Sequence, residues 1–321
     1  MDFAGKRRWF FLISIVVITA GLISMAIPPR FRIGVEFTGG SALSVTFAEP
    51  VEQGQLRSKL SGLDHGEAVI QRLGDNSFLI RTDTLEEASI DASGNVVGDS
   101  ERNRIEESLA EIAPLQTVEV SEVSALVAGE TVRNAIIAIL IAATMILIYI
   151  TWAFRLVPNS FRMGSTAILA AIHDVLVVVG IFSIVGKFIN AEINAMFITG
   201  ILTVVGYSVH DTIVVFDRIR ENTMRRVSRD LETTINISIM ETLGRSLTTS
   251  LTTVFVILAL LSIGGGTILS LLLALLVGII TGTYSSIGIA SQLLITWEQG
   301  GIRGLFRREP SEGSLATSKQ E

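Results

Sequence analysis

The sequence predicts an α-helical membrane bundle of six transmembrane helices, with one small α+β domain set between the first helix and the second. Three observations carry this. Hydrophobic residues make up 49% of the 321, and the mean hydropathy is +0.56, well toward the membrane class. Six apolar stretches reach the length of about 20 helical residues that a bilayer requires. The formal net charge of −6 is unevenly spread: residues 30–133 hold nine Lys/Arg against eighteen Asp/Glu, and the rest of the chain sixteen against thirteen. The acidity therefore belongs to one soluble segment and is no argument for nucleic acid, which is not an expected partner. The chain has no cysteine, so disulfides, thiol catalysis and cysteine-ligated metals are excluded.

The six spans read as 9–27, 134–154, 164–185, 194–217, 246–263 and 267–296. The first follows Lys6-Arg7-Arg8, and Ser24-Met25-Ala26 loosely fits a cleavage site. Its apolar run exceeds the roughly 7–15 residues of a signal peptide, so it is read as an uncleaved span. Positive charge sets the orientation. Lys6, Arg7 and Arg8 precede the first span; Arg155 and Arg162 join the second to the third; Arg218, Arg220, Arg225, Arg226, Arg229 and Arg245 lie between the fourth and fifth; Arg303, Arg307 and Arg308 follow the sixth. All fall on one side if all six spans are real, and the other side receives Lys187, the Gly264-Gly265-Gly266 turn and the acidic domain. Both termini are expected in the cytoplasm. The units are then 1–29 (N-terminus and first span), 30–133 (extracytoplasmic domain), 134–297 (five spans, with a cytoplasmic loop at 218–245) and 298–321 (a cytoplasmic tail, partly disordered).

Within 34–122, Leu43, Val45 and Phe47 alternate with polar residues as on a half-buried strand. Val51–Leu60 has helical spacing; Ala68–Leu73 and Ser77–Thr82 flank the turn residues Gly74-Asp75-Asn76; Glu101–Ile112 carries Ile105, Leu109 and Ile112 on one face; Gln116–Val120 is a last strand. The order βαββαβ is that of a ferredoxin-like split βαβ sheet. Residues 83–100, with Ser93-Gly94-Asn95, form an insertion.

Charged residues at membrane depth are costly and mark function by default. The third span carries His173-Asp174 and the fourth His210-Asp211. Neighbouring helical residues point about 100° apart, so neither pair aims both groups at one spot, and no metal site is expected. Thr199, Thr203, Tyr207 and Asp211 recur every four residues, close to one helix face. The fifth span offers Arg245, Thr249 and Thr252, and the sixth offers Gly278, Gly282 and Ser285 for close helix approach. Spans four to six thus line a polar seam with two readings. In one, Asp211 and Arg245 form a fixed ion pair that locks the helices. In the other they form a proton relay: a carboxyl group out of water favours its neutral form and a nearby guanidinium its ionised form, so movement of Arg245 switches Asp211. About 2.3 kcal/mol per charge is available from each 100 mV of membrane potential.

Three motifs resemble the SecD/SecF family. Gly34-Val-Glu-Phe-Thr-Gly-Gly40 is similar to its G-x-D-F-x-G-G motif, through Gly34, Phe37, Gly39 and Gly40, with Glu36 for the usual aspartate. Gly206-Tyr-Ser-Val-His-Asp-Thr-Ile-Val-Val-Phe-Asp-Arg-Ile-Arg-Glu-Asn222 is similar to its fourth-helix signature, with His210 for a common asparagine. Gly244-Arg-Ser-Leu-Thr-Thr-Ser-Leu-Thr-Thr253 resembles the arginine-threonine motif opening the fifth helix, with Ser246 where threonine is frequent. The His173-Asp174 segment also resembles the family, and the likeness runs in order to about Trp297.

That resemblance implies half of a proton-driven transporter of the resistance-nodulation-division type in the bacterial cytoplasmic (inner) membrane, with SecD supplying six further helices and residues 30–133 in the periplasm. It implies assistance to the SecYEG channel in preprotein export, with YajC and YidC as further partners, lipid as surroundings, the proton motive force in place of any cofactor, and no enzymatic activity. The family's functional charges carry over to Asp211 and Arg245, with Asp174 as a third relay group and His210, Thr203, Tyr207 and Thr249 lining the path. Three other readings compete. An intramembrane protease could use Asp174 and Asp211, but they would have to share a proton and neither has a G-x-G-D context. A small-molecule exporter of the same superfamily would commonly have twice the helices. A non-energised subunit that stabilises the translocon would tolerate loss of Asp211.

Overall fold

The computed structural model describes residues 2–28, 32–86, 99–155, 160–189, 191–263 and 268–299. Most of the insertion expected at 83–100, the Gly264–Gly266 turn and the tail beyond 299 lie outside the described residues. In chain order the elements are α1 (Arg7–Ala26), β1 (Arg32–Ile33), α2 (Val35–Thr38), β2 (Gly40–Phe47), α3 (Gln53–Ser61), β3 (Val69–Arg72), β4 (Ser77–Thr82), α4 (Glu101–Ala110), β5 (Leu115–Val123), α5 (Ala125–Ala153), α6 (Ser160–Ile189), β6 (Glu192–Ile193), α7 (Ala195–Met224), α8 (Leu231–Ile263), α9 (Leu269–Ser285) and α10 (Ser291–Glu298). A π-helical turn, Ser286–Ala290, joins α9 to α10. Among the described residues six helices are long and apolar enough to cross a membrane: α1, α5, α6, α7, α8 and the continuous Leu269–Glu298.

Two helices start well before the apolar runs that announce them. α5 begins at Ala125, capped by the Ser124 hydroxyl, not at 134. The expected loop at 218–245 is mostly helix, because α7 continues to Met224 and α8 starts at Leu231. Apolarity delimits what lipid requires, whereas a helix extends as long as its ends are satisfied. Asp230 accepts from the Thr233 amide and hydroxyl at 2.7 Å each. Thr234, Ser238 and Thr242 donate to carbonyls four residues back, and Arg218 of α7 bridges to Glu241 of α8 at 2.6 Å.

The α/β domain is a four-stranded antiparallel sheet in the order β3-β4-β2-β5. In its central register Leu43 lies between Ile80 and Val120. Helices α3 and α4 cover one face through a core that includes Leu43, Val45, Phe47, Leu56, Leu60, Phe78, Ile80, Ile105 and Leu109. The periods predict Leu43, Val45, Phe47, Leu56, Leu60, Ile105 and Leu109 among these; Ile112, expected on the same face, lies past the end of α4 and is only partly buried. On the opposite face Ser44, Gln71, Arg81 and Glu119, with Glu36 and Glu192, enclose a cavity of about 330 Å³. Arg81 forms a buried ion pair with Glu192 and donates to Gln71 at 3.0 Å. β1 pairs in parallel with β6, so the chain leaving α1 is stitched to the α6–α7 connection.

In the bundle α9 packs closely on α7, as the small residues Gly278 and Gly282 predict. A Cβ on Gly278 would collide with Val204, and one on Gly282 would stand 3.1 Å from that of Ser208. Outward faces are apolar, with Leu140 and Ile148 on α5 and Phe255 on α8 exposed, as lipid requires.

Candidate functional site

The bundle interior holds two aspartates. Asp174, in the middle of α6, is completely buried. Its Oδ2 accepts from the hydroxyls of Ser208 on α7 and Ser285 on α9 (the latter at 2.6 Å). Its Oδ1 lies 2.9 Å from His173 Nδ1, so this pair does meet, against the expectation from the 100° step, because the angle between neighbouring Cβ directions does not limit the reach of an imidazole. Asp211, one turn beyond Ser208 on α7, is 6% exposed. Its Oδ1 accepts from Ser246 of α8 at 2.5 Å and its Oδ2 from Ser286, the first residue of the π-turn, at 2.6 Å. Consecutive serines of one helix thus serve the two carboxyl groups.

The structure brings together fewer of the expected residues than the spacing suggests. Asp211 and Arg245 form no ion pair among the described residues, so the fixed pair of one sequence reading is not what this structure contains. The reason is rotational. Ser246 faces Asp211, and the residue before it points about 100° away. Arg245 instead lines an open cleft of about 480 Å³ with Asp217, Arg218, Arg220, Glu221 and Glu241. The acids there are engaged by other arginines: Asp217 by Arg220 at 2.9 Å, Glu221 and Glu241 by Arg218 at 2.5 and 2.6 Å.

The stripe on α7 also turns. Thr199 and Thr203 are exposed, Tyr207 is half-buried and Asp211 is buried. A four-residue step overshoots the 3.6-residue turn by about 40°, so the stripe runs from the surface inward. Thr203 donates to the Thr199 carbonyl, Thr249 to that of Arg245, and Tyr207 meets Ser250 at 3.3 Å. His210 is exposed. Sequence reasoning missed Ser208 and Ser286, and valued Ser246 only as a motif variant and Ser285 only for its size. The signal was there: hydroxyls inside apolar spans, and two in succession at Ser285-Ser286. Among the described residues no three His, Cys, Asp or Glu side chains converge as a metal site would need.

The motif after the first span is a corner. Gly34–Gly40 passes from β1 through α2 into β2, and Gly39 and Gly40 have φ of 78° and 119°, a region open to glycine at little cost. A Cβ on Gly40 would stand 2.6 Å from the Thr82 carbonyl oxygen. Val35 is buried, Glu36 and Phe37 are half-buried, and Glu36 borders the 330 Å³ cavity.

Comparison with known proteins places this geometry. The family "Protein export membrane protein SecD/SecF, C-terminal" matches residues 104–300. The chain belongs to the SecD/SecF family. It is 42% identical over 315 residues to the protein translocase subunit SecF of Thermobaculum terrenum, covering 98% of this chain and 99% of that one. It is 40% identical over 314 residues to the SecF of Anaerolinea thermophila, covering 96% and 97%. Among solved structures, the translocon-associated membrane protein SecDF of Thermus thermophilus superposes with a TM-score of 0.76 at 33% identity, over 93% of this chain and 39% of the longer SecDF chain. This SecD/SecF family member is a multi-pass membrane protein, and both aspartates and all four serines that serve them fall inside the family match.

Proposed function

We propose that this chain is the SecF-type half of a SecD–SecF complex that uses the proton motive force to assist SecYEG-mediated preprotein translocation. Asp211 is the group that takes up and releases the proton. One observation carries the reading: a buried carboxyl group at membrane depth is held by two hydroxyls, from α8 and from the α9 π-turn, with no cation beside it among the described residues. Hydroxyl donors tolerate both the neutral and the charged carboxyl. Arg245 adjoins Ser246 on α8, so rotation of α8 exchanges a hydroxyl for a guanidinium at Asp211 and couples helix position to proton load. Asp174 is the second buried acid of the relay, and Tyr207, Thr203, Thr249 and His210 mark the side from which water reaches it.

Polar groups exposed at membrane depth support a second membrane subunit. His210 on α7 and Arg245 on α8 lie on the outside of the bundle, where lipid alone would leave them costly, whereas the exposed hydroxyls of Thr199, Thr203, Thr248 and Thr252 donate within their own helices. SecD covers this side, with SecYEG, YajC, YidC and the translocating preprotein as further partners. The protein sits in the inner membrane with both termini cytoplasmic, because the short loops that carry arginine share one side. The α/β domain is periplasmic and ferredoxin-like, a reading supported by its β-α-β-β-α-β order and its strand order. It has no enzymatic activity and needs no cofactor.

Inverted membrane vesicles that carry the complex test this. Asp211→Asn keeps the shape and removes the titrating proton. It is expected to abolish gradient-driven stimulation of export while partner binding persists, with Arg245→Lys impaired as well because the planar fork is lost. Normal stimulation in Asp211→Asn overturns the relay and favours a non-energised subunit of the translocon.

A further inference from the structure

Beside Asp174 a chain of hydrogen bonds runs to α1, and its donors can be counted. His173 Nδ1 is 2.9 Å from Asp174 Oδ1; His173 Nε2 is 2.9 Å from Ser14 Oγ; Ser14 Oγ is 3.1 Å from the Tyr284 hydroxyl; and that hydroxyl donates to the Phe10 carbonyl at 2.6 Å. A carbonyl can only accept and each hydroxyl has one proton, so directions follow from the far end. Tyr284 spends its proton on Phe10. Ser14 must therefore donate to Tyr284, and His173 Nε2–H must donate to Ser14. With Nε2 protonated, the contact between Nδ1 and Oδ1 still needs one proton of its own, held by either atom. Without it, two lone pairs would face each other across 2.9 Å, and the buried pair would carry a net negative charge.

We propose that His173 and Asp174 form a second proton-holding site: a pair that carries one shared proton, with its polarity set by Tyr284 through Ser14. Ser208 and Ser285 complete the shell on Oδ2. Charge-neutral whichever atom holds the proton, the pair suits a site where His173 is 8% and Asp174 0% exposed. Because Ser285 serves Asp174 and Ser286 serves Asp211, a shift of the π-turn alters both carboxyl groups together. Other titratable groups on elements packed against α6 are exposed or engaged elsewhere. Glu130, Arg133 and Tyr149 on α5 and His210 on α7 are exposed, Asp211 is bound by its serines, and Glu298 of α10 pairs with Arg162. α1 has no titratable side chain beyond Arg8. The role of the pair in export rests on the relay reading of Asp211; its protonation does not.

Nitrogen-15 NMR of histidine-labelled full-length chain in lipid bilayers tests the proposal. The chain has three histidines, and His173→Gln assigns the signal. His173 Nε2 is expected to carry its proton, and Nδ1 to give the signal of a nitrogen that holds or shares a proton with Asp174 rather than that of a bare lone pair. Asp211→Asn should leave that signal unchanged. In Tyr284→Phe, Ser14 is released to donate to Nε2, so an unprotonated Nε2 signal should appear. Ser14→Ala provides the same release should Tyr284→Phe fold poorly. An unprotonated Nε2 or a bare Nδ1 in the unaltered chain overturns the proposal, and so does an Nε2 signal that neither variant changes. Loss of export in Asp211→Asn leaves this outcome untouched, so the two readings fail separately.

Discussion

The α/β domain and the helical bundle solve the same packing problem in opposite solvents. In the domain Phe78, Leu43 and Leu109 are fully buried, and charged residues such as Glu107 and Glu119 face out. In the bundle Asp174, Ser285, Ser286 and Gln292 are fully buried, while Leu140, Ile148 and Phe255 are exposed. Water drives apolar groups together by removing their surface from it. Lipid offers no such drive between helices, so close contact and hydrogen bonds among polar groups hold them instead. The polar interior of the bundle is thus the expected outcome of an apolar solvent, and its hydroxyls are as structural there as leucines are in the domain.

The contrast can be broken most sharply at Phe78. Phe78→Ala should cost the domain about 3–5 kcal/mol, read as a lower unfolding midpoint of the sheet domain in the full chain; a loss under 1 kcal/mol would mean that the domain takes its stability from elsewhere. In the bundle the equivalent deletion is polar. Ser286→Ala leaves Asp211 one donor short and should cost about 1–3 kcal/mol, measured as thermal stability in lipid nanodiscs. An unchanged midpoint would show that the interior hydroxyls carry no structural weight.

At the water-facing helix end neither core decides. There the Thr233 hydroxyl, then its amide, hold the Asp230 carboxyl below the usual carboxylate range. Asp230→Ala should cost about 1 kcal/mol and fray the first turn of α8 in hydrogen exchange. The folded-state value is the lower one, so the cap is complete above the unfolded carboxylate value of about 3.9 and is lost as pH falls through the folded value. Fraying that sets in on raising the pH would contradict the cap. The smallest effect is expected for Leu140→Ala on the outer face of α5, within about 0.5 kcal/mol. A larger loss would show that this face is covered by protein.

The two regions also differ in how much their sequence discloses. The domain was legible almost to the residue, because a strand shows its buried face every second position and Leu43, Val45 and Phe47 do so. The spans were legible as spans but not as rotations. An apolar helix in lipid carries its signal outward, so the hydroxyls between Leu269 and Thr296 stand out as candidates without showing which of them meets a carboxyl group. Arg245 is the partner that charge and the family resemblance suggest, whereas Ser246, one residue and about 100° away, is the one that faces Asp211. Likewise the start of α8 at Leu231 is marked by Asp230 and back-bonding threonines rather than by hydropathy.

The pairing of β1 with β6 has a geometric consequence. The sheet domain is joined covalently to the bundle at two points, through α1 and through α5. Two pivots would leave it free to swing about the line between them. The Arg81–Glu192 ion pair, beside the β1–β6 stitch, adds a third attachment on the α6–α7 connection. The domain is therefore mounted as a tripod. Any tilt of it must load the foot that stands on the α6–α7 connection, and the two helices that meet in that foot are those that carry Asp174 and Asp211.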